Sequence, residues 1–301
     1  MDIALLINNP KEYYGPVLAT YCKNWGSKSN GLAEAYRRAL DFIGEEGRIS
    51  HLYFGSEFCE YCIPDTGMLR DFLEICKKDK LKPVFITPPS SDYGVKKLKE
   101  AFMCLKRELD YCEIVINDLG VLELAHDICP NFIYAIGRIL DKTSHDSRIL
   151  SQDIEAYYGQ AGLKFARTPG ILSNSADKIF RKYNITRYEF DFPKVGLEVD
   201  GKSKYSLHFP YQYLTTGRVC LFRATQYENK NKFLVGSEKC CQVCINIQAE
   251  LRKPVNGFVI ENGKKINDIY LFQRGNTIFY LNESEDLFMG NTMFDRLILQ
   301  Y

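Results

Sequence analysis

Cys220, Cys240, Cys241 and Cys244 crowd into one short stretch of a 301-residue chain, and Cys59 and Cys62 form a Cys-x-x-Cys pair far upstream. Thiolates are soft, charged ligands, so gathering them is unfavourable unless a soft metal or an iron–sulfur cluster neutralises the charge. Two groupings follow. Cys59 and Cys62 with Cys241 and Cys244 make two Cys-x-x-Cys pairs of the kind that hold tetrahedral zinc. A self-contained zinc ribbon keeps its pairs within about twenty residues, so here distant loops would have to meet. The second grouping brings in Cys220, which sits beside Arg218 and Arg223 in TTGRVCLFRAT.

Those thiols need a scaffold. Short apolar runs rich in Ile, Val, Phe and Tyr alternate with helical patterns through the first two-thirds of the chain. The expected strands are residues 3–7, 50–54, 83–87, 112–117, 132–136, 163–167 (LKFAR), 187–191 and 204–209. The segments GLAEAYRRALDFI, TGMLRDFLEICKK, GVKKLKEAFMCLKRE and NSADKIFRKY space apolar residues three and four apart, as helices do. Seven or eight βα units imply an α/β fold, a TIM-barrel-like (β/α) barrel, with an open doubly wound sheet as the alternative. A barrel places function at the C-terminal ends of its strands. Those exits carry residues 55–62, Asn117-Asp118-Leu119-Gly120, Gly137-Arg138, Asp191 and His208.

After Cys244 the pattern becomes NGFVIENGKKI and DIYLFQRGNTIFYLN, with Glu-Asn-Gly and Arg-Gly-Asn as hairpin turns. This reads as a small antiparallel C-terminal excursion, residues 246–293, within a single barrel-type domain, residues 1–301. FDRLILQY, from Phe294, can return as a closing barrel strand, in which case one of the eight earlier strands is an addition.

Lysine plus arginine (39) almost balances aspartate plus glutamate (38), so no global field favours nucleic acid or an acidic membrane. The cluster Lys77, Lys78, Lys80 and Lys82 reads as a solvated helix face. No run of about eighteen apolar residues offers a membrane span, and MDIALLINNP lacks the basic start of a signal peptide. Eleven cysteines without a secretion signal point to a reducing, cytoplasmic setting. Cys22, Cys76, Cys104, Cys112 and Cys129 fall in apolar patterns and read as small hydrophobes. His51 and His126 read as structural or surface residues, and His145 as a solvated loop residue.

The run FPYQYLTTGRVCLFRATQYENKNKFLVGSEKCCQVC resembles the signature region of the U-thirty-two family of collagenase-type peptidases, most of all its ubiquinone-biosynthesis branch. In that branch a cysteine after an arginine, followed later by two cysteines with three residues between them, belongs to a four-cysteine iron–sulfur site. The remaining ligand follows a Tyr-x-Gly strand end, matched here by Tyr53-Phe54-Gly55-Ser56-Glu57-Phe58-Cys59. The resemblance thus implies a [4Fe–4S] cluster on Cys59, Cys220, Cys240 and Cys244, with zinc as the alternative and Cys62 and Cys241 as neighbours. It extends to Asp118-Leu119-Gly120 and to Gly137-Arg138-Ile139-Leu140. Residues 141–172 look like an insertion, Asn174 recovers a family asparagine, and His208-Phe209-Pro210 stands where the family has His-Gly.

What the resemblance implies is oxygen-independent hydroxylation of a small aromatic molecule or a peptide, in concert with a related subunit in a hetero-oligomer. Under that reading Arg138 would bind a carboxylate, while Asp118 or Asp191 would orient a hydroxyl or move a proton. Alternatively, Arg138 and the aspartates simply pair with one another. A peptidase comes second, because no Gly-x-Ser-x-Gly elbow or His-Glu-x-x-His helix occurs. A non-catalytic partner subunit that binds a cluster or zinc is the third class.

Overall fold

Runs buried on both faces need helices outside and side chains within, and the chain supplies both. The computed structural model describes residues 1–21, 30–44, 47–143, 145–146, 151–185, 187–225, 240–245, 247–251, 271–281 and 293–300. Strands β1 (Asp2–Leu6), β2 (His51–Gly55), β3 (Lys82–Ile86), β4 (Glu113–Ile116), β5 (Ile133–Ile136), β6 (Arg187–Phe190) and β7 (Lys204–Phe209) belong to one sheet. Strands β8 (Tyr211–Thr216), β9 (Ala249–Glu250), β10 (Leu271–Arg274) and β11 (Thr277–Leu281) form a second, and β12 (Arg296–Gln300) returns to the first. That first sheet closes on itself in the order β1-β12-β7-β6-β5-β4-β3-β2, every neighbouring pair parallel. The TIM-like (β/α) barrel is therefore present, and the smaller sheet, β8-β11-β10-β9, is antiparallel.

Helices α1 (Asn30–Ile43), α2 (Thr66–Asp79), α3 (Asp92–Glu108), α4 (Leu119–Ile128), α5 (Ser151–Arg167) and α6 (Asn174–Phe180) lie between barrel strands, and the single turn α7 (Leu221–Ala224) follows β8. Their apolar stripes make the outer core. In α2, Leu69, Phe72, Leu73 and Cys76 are buried on one side, Asp65 caps the start through Met68 N–H at 2.9 Å, and Lys80 in the left-handed region ends it. Strand alternation then sorts the barrel: Leu52, Phe54, Phe85, Ile114, Leu297 and Leu299 join the helices, while Ala4, Tyr53, Val84, Val115, Ala135 and Ile298 pack inside. Among the described residues, no helix is long and apolar enough to cross a membrane.

Three expectations change. LKFAR, residues 163–167, is the last turn of α5 rather than a strand: Leu163 is buried while Phe165 is 85% exposed, and β5 pairs directly with β6. Leu-x-Phe alternation imitates a strand, but no gap remains in the sheet for it. The vacancy among eight strands is filled by FDRLILQY as β12, between β1 and β7. Helix α6 stops at Phe180, and Arg181–Tyr183 tightens into a 3-10 turn before Asn184. Of the C-terminal excursion, β10 and β11 form the expected hairpin around Gly275, and NGFVIENGKKI lies outside the described residues. Lys77 and Lys78 end α2, whereas Lys82 already belongs to β3.

Candidate functional site

The cysteine loop after β2 is shaped by local chemistry. Gly55 has φ +120°, and a Cβ there would lie 2.3 Å from the Ile86 carbonyl oxygen, so only glycine lets the strand end this close to β3. Ser56 Oγ donates to the Cys59 carbonyl at 2.7 Å, and Cys62 N–H donates back to it at 3.0 Å, closing a 3-10 turn over Glu60–Cys62. Glu60 ties this turn to α3 by accepting from both Ser91 N–H and Ser91 Oγ at 2.7 Å.

The small sheet brings the other cysteines to it. Asn276 Nδ2 donates to the Phe58 carbonyl at 2.8 Å and to the Gly217 carbonyl at 2.6 Å, so one side chain joins the Cys59 loop to the Cys220 loop. Arg274 donates to the Cys244 and Ile245 carbonyls at 3.2 and 3.0 Å, and Gln242 Nε2 donates to the Tyr61 carbonyl. Arg223 N–H reaches Cys220 Sγ at 3.4 Å, while its guanidinium lies 4.1 Å from the centre of the Tyr61 ring. Gly275, at φ +62°, lets the hairpin turn pass beside Cys244, whose Sγ would be 3.3 Å from an added Cβ. Gly275→Ala should therefore cost about 1 kcal/mol of stability and shift Cys244, measurable as a lower urea midpoint with unchanged m-value.

The Cys62 thiol lies against those of Cys59 and Cys244. Its proximity to both pushes the Cys62 thiol up, and its S–H, which can serve one of them at a time, brings Cys59 down and Cys244 down to about 7. Cys220 and Cys240 are raised by burial, and both feel the charges of Cys59 and Cys244. Five thiols from three separate chain segments thus gather at the barrel mouth; Cys241 beside them is exposed. As the side chains stand, no group of three or more His, Cys, Asp or Glu among the described residues is arranged to hold a metal ion. The donor set itself is all sulfur, the chemistry of zinc or an iron–sulfur cluster. Cys76, Cys104, Cys112 and Cys129 are buried in the outer core, and Cys22 lies outside the described residues.

A cavity of about 590 Å³ adjoins the thiols, lined by Cys59, Cys62 and Cys244 on one side and by strand ends Leu6, Ile86 and Gln300 on another. Arg138 reaches its wall, but the Arg138 fork is already filled. Nε and Nη2 donate to the two Glu57 oxygens at 2.7 and 2.8 Å, and Nη1 donates to Asp191 Oδ1 at 2.6 Å and to the Tyr211 carbonyl at 3.0 Å. Asp191 stands behind it, fully buried, and also faces His145 Nδ1 at 3.6 Å. His145 is not a solvated loop residue: its side chain is 12% exposed, and although burial opposes charge, Asp141 and Asp191 outweigh it and raise its pKa. Asp118 is apart from this group, capping α4 by accepting from Gly120 and Val121 N–H at 2.8 and 3.2 Å.

Beneath the cavity a polar column fills the barrel. Arg296 grips Glu113 with both ends and donates to Tyr53 Oη at 2.7 Å; Tyr53 donates to Glu189 Oε1 at 2.8 Å. Glu189 Oε2 meets His208 Nε2 at 2.9 Å, and Gln300 Nε2 meets His208 Nδ1 at 3.0 Å. His51, on the inner face of β2, joins through Arg296 at 3.0 Å. Burial raises Glu189 to about 7 and lowers His208 to about 4. A carboxyl raised from 4.5 to about 7 contributes stability that is full below 4.5 and lost as pH passes 7. Glu189→Gln should hence gain melting temperature relative to the unaltered protein between pH 5 and pH 8, read by thermal scans in matched buffers.

Glu57, Glu189, Arg296 and Gln300 were not singled out from the sequence. Part of the signal was present: in RYEFD the polar residues fall at every second position, the inward face of a barrel strand, and Arg296 and Gln300 share one face of β12 with Ile298, whereas Glu57 lies in a loop with no such pattern. No protein-family model, curated protein or solved structure matches the chain.

Proposed function

We propose that the chain is an iron–sulfur protein of the U-thirty-two, UbiV-like type, holding a [4Fe–4S] cluster on Cys59, Cys220, Cys240 and Cys244 and taking part in oxygen-independent hydroxylation of a small aromatic or peptide substrate. The observation that supports it is that Cys59, Cys62 and Cys244, from distant segments, line one cavity at the C-terminal end of the barrel, with Cys220 and Cys240 near enough to feel the charges of Cys59 and Cys244. Such a cluster would supply one-electron redox chemistry. The chain's own residues would do the rest: Glu57 and Arg138 brace the Cys59 loop from the cavity wall, Asp191 holds Arg138 from behind, and Asp118 fixes the start of α4. A related subunit as partner belongs to the same proposal.

Zinc is the second reading, favoured by the contacts that Cys62 makes to Cys59 and Cys244. Anaerobic purification with iron and sulfide analysis separates the two, because zinc adds no absorbance near about 400 nm. Peptidase chemistry ranks below both: the Ser50–His51 contact, at 2.8 Å, sits at the N-terminal end of β2, across the barrel from the cavity. Mass spectrometry of candidate substrates distinguishes a gain of one oxygen atom from cleavage.

A further inference from the structure

Gln300 ends β12 at the cavity floor and is 6% exposed, yet its Oε1 is buried with no hydrogen-bond partner among the described residues. An orphaned acceptor in a residue that lines a cavity is costly, and a turn of the side chain toward a ligand relieves it. The orientation of that amide is dictated by the column below. Arg296 donates to Tyr53, so the Tyr53 hydroxyl must donate onward to Glu189. At pH 8, above the value of about 7 to which burial raises it, Glu189 is ionised, and its other oxygen takes a proton from His208 Nε2. Neutral His208 then offers only a lone pair at Nδ1, which selects the NH2 of Gln300 and turns the carbonyl oxygen away from it.

A second orphan lies on the same wall. Glu12 follows β1, the neighbour of β12 in the barrel, and its Oε2 is buried without a partner among the described residues. Both orphans are acceptors and one is a carboxylate, whereas the adjacent lining from Leu6, Ile63, Met68, Ile86, Phe279 and Leu281 is apolar. We propose that the cavity binds a ligand with an apolar body and a protonated amine head, which donates to Gln300 Oε1 beside the Glu12 carboxylate, and that Glu189, through His208, is the positioning residue that sets the polarity of Gln300. This names the ligand class of the cavity in the proposed function and rests on that reading only for the ligand being a substrate.

The test is ligand-observed NMR on the full chain at pH 8 with benzylamine, benzyl alcohol and benzoate as probes, which requires no metal and so fails or succeeds independently of the cluster. Benzylamine should bind at about 10 mM or tighter, with benzoate at least about tenfold weaker. Glu12→Gln should bring benzylamine down to the level of benzyl alcohol. In Glu189→Gln the introduced amide must accept from Tyr53 and donate to His208 Nε2. That moves the His208 proton to Nδ1 and turns Gln300 so that its NH2 faces the cavity. In the single variant the advantage of benzylamine over benzyl alcohol should then shrink, and in Glu12→Gln/Glu189→Gln, where no carboxylate remains beside the amide, benzoate should move ahead of benzylamine, an outcome that simple loosening of the core would not produce. Benzoate binding as tightly as benzylamine to the unaltered protein, no probe binding at all, an unchanged order in the folded double variant, or an undiminished amine preference in Glu12→Gln would overturn the proposal.

Discussion

Cys244→Ala is expected to strip the anaerobically purified protein of iron, sulfide and absorbance near about 400 nm. Loss of an outer-sphere partner already weakens metal sites by about 10- to 100-fold, so loss of a ligand should cost no less. Cys244 is the informative position because both groupings use it, and because Arg274, Gly275 and Cys62 all converge on its loop. Two further replacements divide the groupings. Under the four-cysteine cluster, Cys220→Ala loses the colour and Cys62→Ser keeps it. Under two-pair zinc, Cys62→Ser loses the metal and Cys220→Ala keeps it. Full iron retention in Cys244→Ala would refute the cluster at this site, and full zinc retention in the same variant would refute the zinc site.

Arg138→Met should produce the largest loss of stability of any single change at the barrel mouth. Arg138 and Asp191 are 1% and 0% exposed at their side chains, and Glu57 5%, so removing the guanidinium leaves two buried carboxylates facing one another. Breaking a buried ion pair in this way costs about 3–5 kcal/mol, most of it the penalty of uncompensated charge. The Phe58 and Tyr213 rings, 5.3 and 5.6 Å from the guanidinium, lose a cation partner in the same step. Urea unfolding measures the effect, and adding Glu57→Gln to Arg138→Met should recover part of it by removing one charge. A loss under about 1 kcal/mol would place the cluster in the solvated regime of surface pairs. Arg138→Lys should be intermediate, since an ammonium keeps the charge but cannot span both Glu57 oxygens.

The barrel was legible because its strands are buried on both faces and carry runs of apolar residues between their inward polar ones, and its helices show one apolar stripe each. KYSLHF became β7 at the expected bounds, and TGMLRDFLEICKK became α2. LKFAR misled because five residues carry either period equally well. Only the direct pairing of β5 with β6 excluded it. At the site, residue type pointed to thiolate chemistry and strand exits pointed to Arg138 and Asp191. Neither could reveal that Glu57 already occupies the Arg138 fork, since that depends on which loop crosses which strand end.

Sequence by itself determined most of the local facts: which runs form most of the barrel strands and helices, and that the chain carries more soft ligands in one segment than packing needs. Tertiary structure alone decided the company those residues keep. Cys62 and Cys244 meet, and Gln300 stands over His208, because barrel closure and the small sheet bring distant segments together. A side chain's protonation and hydrogen-bonding role is set by its neighbours in space, and periodicity along the chain carries no record of them.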